Sequence, residues 1–351
     1  MSRLRATQPA AVLVLPRLRV QNASAISSPL THGFPSITAF TGLMWALERK
    51  LAQAGTELQL LKVGVICHAH DEQVVDGYVK TFSLMRNPVD RHGKTAAIVE
   101  EGRIHLDITL VFGVAMPEAA ATLVQAAEDP AQALARQVAE VLSTMRIAGG
   151  TVLPTTPAPG RRTRPWLALL AEDAEAQAAA FRQWRRQWLP GYALVGRDDL
   201  LAARLAHLQQ SQPEATLLDA WLHAARFNHV PVAPAEGEAP AADGKVLWAD
   251  PQRGKGRGWT VPIPVGYASL TGKPHGAGEV ANARDTTTPL AFVESVYSLG
   301  EWVSPHRLPS VQALLWHAET DQEKGLYRCL SGYQPAGTDA SHVDDEETDF
   351  D

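Results

Sequence analysis

The sequence is short of the residues that mark small-molecule and redox chemistry. It has two cysteines, Cys67 and Cys329, in 351 residues. That number builds no disulfide framework and fits a reducing compartment. Cys67, His68 and His70 lie close together and suggest a metal. A structural zinc takes four ligands at recognisable spacing, however, and no second cluster follows. No metal and no cofactor is expected. Long apolar runs are missing as well. None approaches the roughly 18 residues that span a bilayer. The apolar stretch 10–15 is short and is broken by Pro16, so it makes no signal peptide. A cytoplasmic protein with no membrane partner is expected. There is no Gly-x-Ser-x-Gly, no His-Glu-x-x-His and no phosphate-binding loop. His32, His68, His92 and His306 are scattered along the chain, and their spacing does not pair them for acid–base chemistry.

An excess of positive charge is also lacking. The formal net charge is −6, which at first argues against a polyanion partner. Seven of the acidic residues fall in 338–351, a stretch with no Lys or Arg. Without it the body carries a charge of +1, so any basic surface is local. The acidic tail itself has the composition of a disordered segment.

What the sequence does have is periodicity. Residues 11–20 have strand character, with Pro16 marking a bulge or an edge. Residues 21–31 are polar and small, suited to a loop that offers hydrogen bonds or caps the next helix. Phe40, Leu43, Met44, Leu47 and Leu51 follow helical spacing, and Gly55 stops the helix. Residues 60–68 form a second strand. In 104–114, Ile104, Leu106, Ile108 and Leu110 alternate with His105, Asp107 and Thr109, the pattern of a half-buried third strand. A second helix is expected after Asp129 and Pro130, with Leu134, Val138, Val141 and Met145 inward. A short fourth strand covers 151–153. The order β-α-β-β-α-β within residues 1–154 predicts an α+β, ferredoxin-like domain.

The connection between strands two and three, about 70–103, is too long for a simple loop. Turn chemistry at Asn87-Pro88 and His92-Gly93 predicts a hairpin arm with a returning strand at 96–99. Arg86, Arg91 and Lys94 at its tip suit a polyanion. A solvated loop with ordinary surface charges is the competing reading.

Beyond a Pro-rich break at 154–165, residues 155–230 predict a helical section. Phe181, Trp184 and Trp188 form one stripe there, and Trp184, Trp188 and Trp221 are expected to make a docking face. Residues 231–245 read as a flexible insertion. Residues 246–337 form a C-terminal β/α section that completes the fold. In it 259–270 has strand pattern, while 290–299 and 311–317 have helical pattern. Arg253-Gly-Lys255-Gly-Arg-Gly is a basic glycine-rich hairpin tip, suited to a nucleic-acid backbone or simply a turn. An RNA recognition motif stacks bases on aromatics of its third strand. Residues 104–112 carry no such series, so RNA binding would fall to loops, the arm and basic side chains.

Five stretches carry a resemblance: LPRLRVQNASAISSPLTHGFPS, RNPVDRHGKTAAIVEEGR, VPIPVGYASL, GEVANARD and SLGEWVSPHR. Together with their surroundings, from about 15 to 328, they resemble the subunit of type I-F CRISPR surveillance (Csy) complexes that holds the 5′ handle of the guide RNA. That subunit is a family-five-type Cas protein of the RAMP superfamily. The resemblance implies a non-catalytic RNA-binding scaffold whose arm is a thumb between handle and spacer. It implies three partners: the crRNA 5′ handle, the large subunit and the terminal copy of the backbone subunit. Target DNA is met indirectly. The candidate RNA contacts in or near these stretches are Gln21, Asn22, Ser27, Arg86, Asn87, Arg91, Lys94, Arg103, Arg253, Lys255, Asn282, Arg284, His306 and Arg307. The basic hairpin at 253–258 and the acidic tail depart from the family's pattern. A guide-RNA-processing endoribonuclease of the same superfamily and a bridge between proteins are the alternatives.

Overall fold

The computed structural model describes residues 8–85, 89, 92–95, 99–154, 162–232, 246–250 and 259–335. Its centre is a large antiparallel sheet flanked by helices, an α+β architecture. The sheet strands, in chain order, are β1 (Ala11–Ser24), β2 (Gln59–Glu72), β3 (Arg103–Ala115), β4 (Arg146–Ile147), β5 (Gly150–Leu153), β6 (Trp166–Leu169), β7 (Tyr192–Gly196), β8 (Trp259–Ser269), β9 (Val293–Val303), β10 (Trp316–Asp321) and β11 (Leu326–Ser331). They run in the order β4-β5-β1-β3-β2-β7-β9-β8-β11-β10, with β6 beside β1. β10 also returns to β2 through Trp316 and Val63, so the second half of the sheet closes into a ring.

The first helix forms as its spacing predicts. α1 (Ile37–Gln53) starts at Ser36, whose side chain accepts from the Thr38 N–H, and it buries Phe40, Leu43, Met44, Leu47 and Leu51. Glu48 on α1 accepts from the Leu60 N–H at 2.6 Å, which ties the helix to β2. Next come α2 (Glu118–Ala126) and α3 (Glu128–Ser143). α3 begins one residue before Asp129 and buries Ala131, Ala135, Val138 and Leu142.

Along β1 the two faces differ. Leu13, Leu15, Leu18 and Val20 pack with α1 and α3 in the main core. Val12 and Val14 join Ile66, Val111, Phe181, Trp188 and Leu314 on the other side. That second cover comes from α4 (Ala174–Trp184), a 3-10 turn at Arg185–Trp188, and α7 (Val311–Leu314). It stops partway along the strands. Beyond it the uncovered face turns polar on all three central strands: Arg17 and Arg19 on β1, His68 on β2, and Thr109, Asp107 and His105 on β3.

Several expectations need correction. The 155–230 section holds two strands, β6 and β7, beside its helices α4, α5 (Asp198–Gln209) and α6 (Leu217–Ala225). Residues 290–299 are not helical. They enter β9, which pairs with β7 and β8 and so has neighbours on both edges. Trp188 and Trp221 make no docking face, being 1% and 3% exposed. Trp221 Nε1 donates to the Ser298 carbonyl at 3.1 Å, and Trp188 packs edge-on to Phe181. Residues 21–24 are not loop but the end of β1.

Candidate nucleic-acid interface

Two interruptions of β1 shape the polar end of the sheet. The ladder between β1 and β3 shifts register between Leu15 and Leu18 and again between Val20 and Ala23. Each shift holds a residue with positive φ: Arg17 at 57° and Asn22 at 57°. Bulges of this kind bend a strand and re-aim its side chains. Asn adopts that conformation at small cost; Arg does so only where its surroundings hold it.

They do hold it. The Arg17 N–H donates to Thr109 Oγ1 at 3.2 Å, and the Arg17 guanidinium pairs with Asp107 at 2.7 Å. Thr109 Oγ1 lies 2.7 Å from His68 Nε2, and His68 Nδ1 lies 2.7 Å from the Pro190 carbonyl. A carbonyl only accepts, so Nδ1 carries the hydrogen. In the neutral ring Nε2 then accepts from the Thr109 hydroxyl. Both ring nitrogens of His68 are therefore engaged within the fold. At the second bulge the Asn22 N–H donates to His105 Nδ1 at 3.1 Å.

Between the bulges and the opposing strands runs a groove of about 250 Å3, lined by Arg19, Gln21, Ala69, His70, Asp71, His105 and Asp107 among others. Its lining holds one arginine and two aspartates, with Asp107 across the ladder from Arg19 and Asp71 across from His105. It therefore suits hydrogen-bonded recognition better than simple anion capture.

The arm springs from this same end. The Gln73 N–H donates to the Arg103 carbonyl at 2.8 Å. Val74–Val75 pairs with Thr81–Phe82, and Leu84–Met85 pairs with Val99–Glu100. Gly102 is packed tightly at the arm's base, where a Cβ would meet Ile26 Cγ1 at 2.7 Å.

A larger cleft of about 680 Å3 opens beside the groove. Its walls include Ser27, His32 and Phe34 from the segment after β1, Cys67 to His70 and Glu72 from β2, Tyr192 from β7, Trp259 from β8 and Trp302 from β9. Ala69 and His70 line both hollows. His32 pairs with Glu72 at 2.9 Å. Burial pushes the Cys67 thiol up to about 12, with Asp107 adding to the effect, so it resists becoming the thiolate a metal would need. Among the described residues, no group of three or more His, Cys, Asp or Glu is placed to hold a metal ion, and no helix is long and apolar enough to cross a membrane.

Of the residues singled out in the sequence, Gln21 and Asn22 are exposed at the second bulge. Ser27 lines the cleft and bonds Thr31 at 2.8 Å. Arg103 lies across the ladder from Ser24 and is ion-paired to Glu101. Lys94 is exposed in the arm. Asn282, with φ of 60°, and Arg284 are exposed between β8 and β9. His306 and Arg307 are exposed on the 3-10 turn Pro305–Arg307, where Arg185 grips the His306 carbonyl at 2.6 Å. Neither of these last two pairs lines the groove or the cleft. Arg86, Asn87, Arg91, Arg253 and Lys255, and the tail 338–351, lie outside the described residues.

Sequence reasoning missed Arg17, Arg19 and the aromatic cleft. The signal for the arginines was present: residues 17, 19 and 21 alternate with apolar ones and match the polar series His105, Asp107 and Thr109 on β3.

An α+β sheet with helices on both faces thus carries a hydrogen-bonding groove at the root of a long arm. Residues 13–329 match the family described as CRISPR-associated protein (Cas_Csy2), and the chain belongs to it, the Csy2 subunits of type I-F CRISPR systems. It is 44% identical, over 92% of its own length and 95% of the relative's, to the CRISPR-associated protein Csy2 of Pseudomonas aeruginosa (strain UCBPP-PA14).

Proposed function

We propose that this chain is the non-catalytic subunit that caps the 5′ handle of the guide RNA, with its arm as a thumb between handle and spacer. The observation that carries the reading is convergence. The arm's root, the Asn22 bulge, the groove and the cleft all meet at one end of the sheet. An extended RNA laid there meets exposed Arg19, Gln21 and Asn22 while the arm crosses it. A ferredoxin-like frame for residues 1–154 is part of this proposal. The order β5-β1-β3-β2, with α1 and α3 packed on one face, supports it. Residues 155–230 and 246–337 complete the fold around an insertion at 231–245. The large subunit and the terminal backbone subunit are the proposed protein partners. Exposed Leu217, Leu218 and Leu222 on α6, with Phe227 close behind in the chain, are apolar surface suited to one of them. Target DNA is reached through the guide, and the cytoplasm is the expected compartment.

The test is a titration of handle RNA at several salt concentrations. Single strands lose about 0.7 in the slope of log affinity against log salt per phosphate contact removed. Replacing Arg91 and Lys94 with alanine is expected to lower the slope by about 1 to 1.5. Asn87→Ala is expected to weaken discrimination between handle sequences at unchanged slope. Unaltered affinity, discrimination and slope in both variants would refute the thumb.

One observation favours a second reading, the endoribonuclease. His32, His68 and His70 line one cleft, and paired imidazoles can cut RNA without metal. Incubating the protein with repeat RNA in chelator separates the two, since cleavage that is lost in His32→Ala would establish the enzyme.

A further inference from the structure

The cleft is aromatic where the groove is polar. Trp259 and Tyr192 are 56% and 48% exposed, a large apolar area to leave in water without a ligand. They are nonetheless held in place. Trp259 lies opposite Trp302 in the β8–β9 ladder, with ring centroids 6.4 Å apart. Trp302 is wedged by Phe34 at 4.8 Å, edge to face. Tyr192 meets Trp259 at 6.2 Å and 74°, so it supports the indole by its edge without stacking flat on it. A chain of four rings drawn from four distant segments thus fixes one exposed indole at the cleft wall. The His70 side chain, at the border with the groove, makes no hydrogen bond or ion pair among the described residues.

We propose that this cleft takes one unstacked base of the bound RNA, laid on Trp259, with His70 placed to reach its polar edge. The inference rests on the capping reading and adds a subsite to it. A base fits on three counts. It has a flat face for the indole and donors and acceptors for the imidazole edge. It is tethered to a strand that already occupies the adjoining groove. The volume of about 680 Å3 suits a nucleotide-sized group. An apolar peptide would match the rings and leave the imidazole edge unanswered. Stacking of this kind tolerates any base but selects for an unpaired one.

The experiment uses the full-length chain and handle RNAs carrying 2-aminopurine at each position in turn. One position is expected to be quenched on binding by the wild-type protein, released in Trp259→Ala and quenched again in Trp259→Phe. Affinity in Trp259→Ala is expected to fall at least about fivefold, with the salt slope unchanged because no phosphate contact is lost. An abasic site at the quenched position should weaken wild-type binding and make the two proteins bind alike. If the wild-type protein binds handle RNA but no position responds to Trp259, the stacking inference falls and the capping reading stands. If the wild-type protein does not bind handle RNA, both fall. An affinity loss in Trp259→Ala that persists on the abasic RNA, or loss of a protein partner with RNA affinity intact, also overturns it, the latter in favour of a protein ligand.

Discussion

Thr109→Val tests the link between the polar face and the fold. Thr109 is 1% exposed, and its hydroxyl serves two partners, the Arg17 N–H and His68 Nε2. Valine keeps the shape and deprives both groups of that oxygen. Depriving a buried polar group of its partner costs about 1–3 kcal/mol. The Arg17 amide is only partly buried, so its share lies at the low end. The added methyl packs beside apolar neighbours and returns somewhat under about 0.8 kcal/mol. The net loss is then about 2 kcal/mol, a sizeable part of the roughly 5–15 kcal/mol that holds a domain together. Thr109→Ser keeps the hydroxyl and gives up one methyl, about 0.8 kcal/mol. Urea unfolding should therefore rank wild type above Thr109→Ser and Thr109→Val last, with midpoints shifted at constant m. RNA affinity should follow the same order, because the bulge at Arg17 sets where Arg19 and Gln21 point. A Thr109→Val protein as stable as Thr109→Ser would show that the hydroxyl does not anchor the bulge and would refute the reasoning.

Two further outcomes are expected. Hydrogen bonds from Arg197 at 2.8–3.2 Å hold the Asp199 carboxyl below its ordinary range. Its stabilising contribution is complete above the unfolded value near 3.9 and is lost as pH falls through the depressed folded value, so the urea midpoint should drop on acidification less steeply in Arg197→Met than in wild type. Gly102→Ala should loosen the arm's root, since the new Cβ meets Ile26 at 2.7 Å and Phe82 at 3.1 Å; limited proteolysis should then cut within 73–103 faster than in wild type, with the rest of the chain unaffected.

The first half of the chain was legible because each element there carries its own period. α1 shows its buried face at three- and four-residue steps, and β3 alternates over 103–108 because one of its faces is only half-buried there. β9 misled because Val293, Val296 and Tyr297 fall at helical steps, and its burial runs in blocks instead of alternating, with Ser298, Leu299 and Gly300 all buried in succession. Trp188 and Trp221 misled because burial is a tertiary property. What covers Trp221 includes Tyr297, 4.5 Å away between ring centroids and far along the sequence. Pro16 announced the first bulge, but nothing in a lone arginine announces positive φ. The cleft was beyond reach, since Phe34, Tyr192, Trp259 and Trp302 share no local pattern and meet only when the sheet closes.

That closure sets a timetable for synthesis. Val63 on β2 waits for Trp316 on β10, a partner about 250 residues later in the chain. At roughly 5–20 residues per second, the ribosome takes on the order of 10–50 s to supply it. Throughout that interval part of β2's outer edge is unpaired, and an unpaired edge is a template for wrong strands. β2 is already bound to β3 along its whole other side, so the nascent chain offers one open edge and not two. A chain that ends before residue 316 lacks β10, the strand that covers this part of the edge.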